Sequence, residues 1–310
     1  MTQTAHIITG PTAVGKTAYA MSLAKKIGGT IICLDSRQFF QKVDALVGKD
    51  LPPGEKSTLG QITLQNTKID LSSHLDPKDN LKYFLFDSVP VRSTINSSLV
   101  NEMIFHLLKL LPVDKVPIFV GGTWLYVKNL ISPPPTLDLP QNKQLRKDLQ
   151  SKDLSQLQNL LKKNHPKIFD SLNASDLNNP RRLIRRIEVG DIDSKILPIS
   201  PLSNFDIELT ALLPEYNELE YKEKIKIRLL ERFDKSTEEI RELLKLNVSV
   251  NSQIMTSIGA KLILEFLQGS LSKNELLDTW TNKEYQYTRR QLTFMKKDIP
   301  LISKITKTII

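Results

Sequence analysis

The octet Gly10-Pro11-Thr12-Ala13-Val14-Gly15-Lys16-Thr17 has the residue types and spacing G-x-x-x-x-G-K-[ST], a pattern suited to holding phosphate. Glycines at its first and sixth positions permit backbone angles that turn successive amides inward. A helix starting at Lys16 would add its partial positive end. In such a loop the Lys16 ammonium neutralises terminal phosphates, and the Thr17 hydroxyl ligates or orients a magnesium ion (Mg2+). A second cluster, Asp35-Ser36-Arg37-Gln38, supplies a carboxylate, a cation and an amide within four residues. The carboxylate suits proton abstraction; on its own, an aspartate after an apolar run equally suits a turn cap.

These residues need a scaffold, and the surrounding periodicity describes one. Residues 6–9 form a short apolar run ahead of the loop, and 16–27 carry apolar residues at helical spacing, giving strand, loop and helix in that order. Gly28-Gly29 ends the helix. The run 30–34 reads as a second strand with Asp35 at its carboxyl end, the rim where parallel sheets hold their ligands. A helix over 99–111, a strand over 116–120 and the turn Gly121-Gly122-Thr123 opening a further helix repeat the alternation. The fold class expected is α/β: a P-loop NTPase-like parallel sheet flanked by helices. The stretch 49–82 is polar and turn-rich, with Pro52-Pro53-Gly54, and its pattern assigns no element.

Pro133-Pro134-Pro135 breaks the alternation, and the residues beyond it are polar and helical in period. We therefore divide the chain into a first part of the P-loop core (1–136), a small helical insertion domain (137–179) and a second, mostly helical part of the core (180–310), containing a strand over 206–213. At 310 residues and 40% hydrophobic content the chain can bury a substantial core. Its single cysteine, Cys33, lies inside an apolar run, which excludes a disulfide framework and a zinc ribbon and reads as core packing. No run of 18 apolar residues occurs, so we expect no membrane association and a cytoplasmic monomer. Lys and Arg number 43 against 34 Asp and Glu, a formal charge of +9 that suits a polyanionic partner. Residues 141–190 hold eleven Lys and Arg against five Asp and Glu.

Five separated motifs resemble the bacterial tRNA dimethylallyltransferases: the octet from Gly10 to Thr17, Asp35-Ser36-Arg37-Gln38, Val120-Gly121-Gly122-Thr123 with Leu125-Tyr126, the run from Pro180 to Val189 that contains Arg181-Arg182-Leu183-Ile184-Arg185-Arg186, and Arg289-Arg290-Gln291-Leu292-Thr293. Their order and spacing span almost the whole chain. The resemblance implies transfer of a dimethylallyl group from dimethylallyl diphosphate to the exocyclic amine of the adenosine 3′ to the anticodon in tRNA, with magnesium as cofactor. Asp35 would then take the proton of the attacking amine, and Lys16, Thr17 and Arg232 would hold the departing diphosphate, with Arg228 the alternative to Arg232. By the same resemblance Asp35, Ser36, Arg37, Gln38 and Thr123 would line a channel for the flipped-out base. Arg182, Arg185, Arg186, Arg289, Arg290 and Gln291 would meet tRNA, and the insertion would grip the anticodon region.

The chain departs from the family's pattern at Trp124, Ala260 and Phe294, where a small residue, a tyrosine and a tryptophan are usual. These positions bear on channel shape and efficiency. Other readings account for less of the sequence. A P-loop small-molecule kinase with Asp35 as base explains only the N-terminal third. Prenyl transfer to free adenine nucleotides leaves the basic insertion and Arg289-Arg290 without a purpose. A non-catalytic RNA-binding module would be indifferent to the loss of Lys16.

Overall fold

The computed structural model describes residues 3–190, 198–215 and 217–298, and the backbone of 305–309. The elements in chain order are β1 (Gln3–Thr9), α1 (Lys16–Ile27), β2 (Gly29–Cys33), α2 (Asp44–Val47), β3 (Glu55–Leu64), β4 (Thr67–Asp76), β5 (Leu81–Phe84), α3 (Ser97–Leu110), β6 (Val116–Gly121), α4 (Trp124–Ile131), α5 (Lys143–Gln150), α6 (Leu154–Asn164), α7 (Pro166–Ser171), α8 (Ala174–Leu177), α9 (Pro180–Val189), β7 (Phe205–Leu213), α10 (Glu218–Lys245), α11 (Ile258–Leu267), α12 (Lys273–Asp298) and β8 (Ile305–Ile309). The chain divides into two compact units, Met1–Ser132 with Ser200–Ile310, and Pro133–Ile199.

The first unit is built on one sheet of order β3-β4-β5-β2-β6-β1-β7-β8. From β5 to β8 every pairing is parallel. The inner strands are apolar on both faces because helices cover both sides, and Ile7, Ile8, Ile31, Ile32 and Phe119 have no exposed surface. Cys33 belongs to this core, as its apolar context indicates. The region 49–82 is an antiparallel hairpin, β3 with β4, joined to the sheet through β4 and β5. Five of the ten residues of β3 are exposed in succession, so this edge strand has no apolar face to announce it.

Two long helices complete the unit. α10 buries Tyr221, Ile225, Leu229 and Phe233 at successive turns, then Ile240 and Leu243. α12 buries Leu276, Leu277, Trp280, Tyr285, Leu292 and Met295. Trp280 is wholly buried, and a Cβ on Gly259 of α11 would lie 2.1 Å from its ring, so only glycine allows that approach.

The second unit holds α5 to α9 around its own small core of Leu149, Leu157, Leu161, Leu183, Ile184 and Ile187. A capping box between Asp153 and Gln156 starts α6, and Asn179 caps α9 ahead of Pro180. The insertion therefore runs past residue 179. The helix over 180–189, which the sequence suggests resumes the main core, contributes Leu183, Ile184 and Ile187 to the small one.

Candidate active site

The phosphate loop is shaped by close packing at its ends. Gly10 has φ +156, and a Cβ there would come within 2.6 Å of the Leu212 carbonyl on β7. Gly15, at φ 85, turns the chain into α1, and Ala13 also takes a positive φ of 59. The loop is then tied to elements far along the chain. Thr12 N–H donates to Gln291 Oε1 at 3.0 Å, the Tyr221 hydroxyl donates to the Thr12 carbonyl, and Lys16 Nζ donates to the Pro11 carbonyl at 2.6 Å. At the end of β6, a Cβ on Gly121 would lie 1.9 Å from the Leu34 carbonyl. The strand ends that carry the octet and Asp35 are thereby brought to one rim.

That rim opens into a cavity of about 690 Å3 within the first unit, lined among others by Thr12, Ala13, Gly15, Lys16, Thr17, Asp35, Ser36, Arg37, Gln38, Arg228, Arg232, Tyr287 and Gln291. Asp35 Oδ1 accepts the Arg37 N–H at 3.0 Å, so this residue caps a turn and lines the cavity at once. Ser36 is fixed by Thr123, whose Oγ1 accepts the Ser36 N–H at 3.0 Å. Arg37 donates to the Gln253 carbonyl and to Thr256 Oγ1 at 3.2 Å, and Gln38 Nε2 donates to the Gly48 carbonyl at 2.9 Å.

Electrostatics favour an anion here. Burial draws the Lys16 ammonium from its ordinary 10.5 down to about 8, with Arg228 adding to the drop and Asp35 opposing it. Arg228 pairs with Asp50 at 2.6 Å and donates to the Gly48 carbonyl at 3.0 Å. Arg232 pairs with Glu284 at 2.6 Å. Burial also lowers the Arg37 and Arg232 guanidinium values. Tyr287 is pushed up to about 12 by burial and then by the charge of Asp35. Thr17 lines the wall. No cluster of three His, Cys, Asp or Glu suited to a metal occurs among the described residues. Thr17 alone fits an ion held chiefly by substrate phosphates, as magnesium commonly is.

Several expected site residues lie elsewhere or are bound up by the protein's own groups. Gly10, Pro11 and Val14 shape the loop without lining the cavity. Gln291, expected on the tRNA side, is buried with both ends of its amide on backbone, the Thr12 N–H and the Gly122 carbonyl at 2.8 Å. Arg289 and Arg290 are exposed on α12, and Arg290 sits 6.0 Å over the Tyr287 ring. In the second unit, Arg182 pairs with Asp176 at 2.6 Å. Arg185 is bound to Glu188 and to the carbonyls of Thr136 and Leu139, whereas Arg186 is exposed. Trp124 is buried with its indole N–H on Asp298 at 2.7 Å, Ala260 is buried and Phe294 is exposed; none of the three lines the cavity. Glu284, Tyr287, Asp50 and the Gln253–Thr256 support of Arg37 are missed by the sequence reading. Tyr287, two residues before the Arg289-Arg290-Gln291 motif, offered the one usable signal.

A family model described as IPP transferase matches residues 73–298, and another, described as isopentenyl transferase, matches residues 3–102. The chain is 29% identical over 296 residues to tRNA dimethylallyltransferase 2 of Treponema denticola, covering 94% of this chain and 91% of the relative. It is 30% identical over 312 residues to a tRNA dimethylallyltransferase of Carboxydothermus hydrogenoformans, covering 96% and 90%. The fold matches the crystal structure of the full-length tRNA isopentenylpyrophosphate transferase from Bacillus halodurans with a TM-score of 0.62 at 23% identity, over 99% of this chain and 90% of that one. With one model spanning most of the chain and relatives aligned almost end to end, the chain belongs to the IPP transferase family.

Proposed function

We propose that this chain is a tRNA dimethylallyltransferase: it transfers the dimethylallyl group of dimethylallyl diphosphate to the exocyclic amine of the adenosine 3′ to the anticodon in tRNA and releases diphosphate. Relatives of that name along nearly the whole chain support the reaction class. The observation that carries the site assignment is the single cavity shared by the phosphate loop, Asp35 and two arginines of α10.

In the reaction the amine nitrogen bonds to the first carbon of the dimethylallyl group while the carbon–oxygen bond to diphosphate breaks. Lys16, with Arg228 and Arg232, meets the charge that grows on the departing oxygens, where preorganised cations act most strongly. The amine lone pair is delocalised into the ring, and Asp35 takes the proton it sheds on attack. Thr17 would hold a magnesium ion that supplies further charge neutralisation to the diphosphate. Arg37 and Gln38 line the cavity beside Asp35 and would border the incoming base. We take the chain to act as a cytoplasmic monomer; no helix among the described residues is long and apolar enough to cross a membrane.

The test is incubation with dimethylallyl diphosphate, magnesium and unmodified tRNA, followed by mass analysis of the nucleosides. Prenylated adenosine is expected, with no transfer of the terminal phosphate when ATP replaces the prenyl donor. Phosphoryl transfer without prenylation would overturn the proposal.

A further inference from the structure

Besides Asp35, the cavity that would receive diphosphate is lined by two further carboxylates, and they differ in kind. The Asp50 side chain is 57% exposed and can turn to solvent. That of Glu284 is 12% exposed and cannot. A fixed negative charge beside an anion weakens binding, so its presence calls for a compensating role.

Glu284 Oε1 accepts two hydrogen bonds, from Trp280 Nε1 at 3.0 Å and from Arg232 Nη2 at 2.6 Å. Trp280 cannot shift, because it is wholly buried and Gly259 lies against its ring. The Arg232 guanidinium rests 5.3 Å from the centre of that same indole. Ring and carboxylate together therefore leave Arg232 one orientation. In it the Nε is buried with no protein partner, and Nη1 is turned toward Gly48, where a Cβ would lie 2.3 Å away. Arg232 lines the cavity in this orientation, so it is held at the wall an arriving anion would meet.

Resting on the prenyl-transfer reading above, we propose that Glu284, anchored by Trp280, is a positioning residue that holds Arg232 aimed at the departing diphosphate. Its cost to anion binding is accepted because a guanidinium already in place needs no reorganisation as charge develops. Burial lowers the Arg232 value and the charge of Glu284 opposes that drop, so the same contact also favours the cationic form.

The test is a double-mutant cycle on single-turnover prenyl transfer to tRNA. Arg232→Ala is expected to slow transfer by about a hundredfold, in the range found when a transition-state donor is removed. Glu284→Gln keeps an acceptor for Trp280 but removes the charge, and should slow transfer by about tenfold with the KM for tRNA unchanged. In the Arg232→Ala background Glu284→Gln should change the rate by less than about twofold. Trp280→Phe removes the indole N–H while keeping an aromatic ring, and its loss should likewise vanish in that background. Additive losses, or a raised KM for tRNA in Glu284→Gln, would overturn the positioning role while leaving the reaction intact. Absence of transfer by the unmodified chain would remove the functional reading and this role with it.

Discussion

Asp35 bonds the Arg37 N–H through Oδ1 at 3.0 Å and lines the cavity as well, so under the proposed reaction one residue would serve as both turn cap and proton acceptor. The two duties separate on substitution. Asp35→Asn retains the Oδ1 acceptor and the turn but loses basicity, so melting temperature should stay near that of the parent chain while single-turnover transfer falls by about a hundredfold or more. Near-normal chemistry in this variant would remove Asp35 from the mechanism. Lys16 yields a pH prediction. Its value is about 8, so the ammonium is present below that pH and is lost above it. An arriving diphosphate restores it, so binding should take up a proton, and affinity should fall by up to about tenfold per pH unit above that value. Calorimetry in buffers of different ionisation enthalpy, from pH 7 to 9, reads the uptake. A pH-independent affinity would show that Lys16 stays charged throughout, and Lys16→Arg should flatten the dependence.

At the scale of elements, the parts that were legible in the sequence are those with a local signature. The span of α1 follows from the octet before it and Gly28 after it, and β2 from an apolar run ending one residue before Asp35. What escaped had no local signature. β3 is an exposed edge strand, and Gln291 reaches the phosphate loop from 279 residues away. Within the family motif Gln291 looks like a surface group, yet it joins the Thr12 N–H to the Gly122 carbonyl and so couples α12 to the loops after β1 and β6. Gln291→Leu would remove the partner of the part-buried Thr12 N–H and of the buried Gly122 carbonyl, the latter at about 1–3 kcal/mol. We expect a melting temperature lower by several degrees and a raised KM for dimethylallyl diphosphate, with tRNA affinity little changed. Loss of tRNA affinity at an unaltered prenyl-donor KM would restore Gln291 to the RNA surface.

Across the whole molecule, the division into units was half legible. The start of the second unit at Pro133 coincides with the triple proline, which no helix or sheet of the first unit can absorb. Its end was obscured because Pro180 marks a helix start equally well within a domain or at its edge; only packing reveals that Leu183, Ile184 and Ile187 close the small core. The same packing sorts the arginines that a helical projection treats alike. Burial raises the Glu188 carboxyl, but the hydrogen bonds from Arg146 and Arg185 outweigh it and leave it below the usual range. Arg185 also binds two carbonyls of the segment entering the unit, at 2.7 and 3.1 Å, while Arg186 stands exposed on the same helix. Arg185→Gln should therefore lower the melting temperature, because it strips a partner from a buried carboxylate, and it should leave the salt dependence of tRNA binding unchanged. Arg186→Gln should do the reverse: unaltered stability, weaker binding, and a plot of log affinity against log salt shallower by about one unit, as loss of one phosphate contact requires. If the two variants exchange these behaviours, Arg185 is the residue that meets the RNA backbone and the Glu188 cluster opens when tRNA binds.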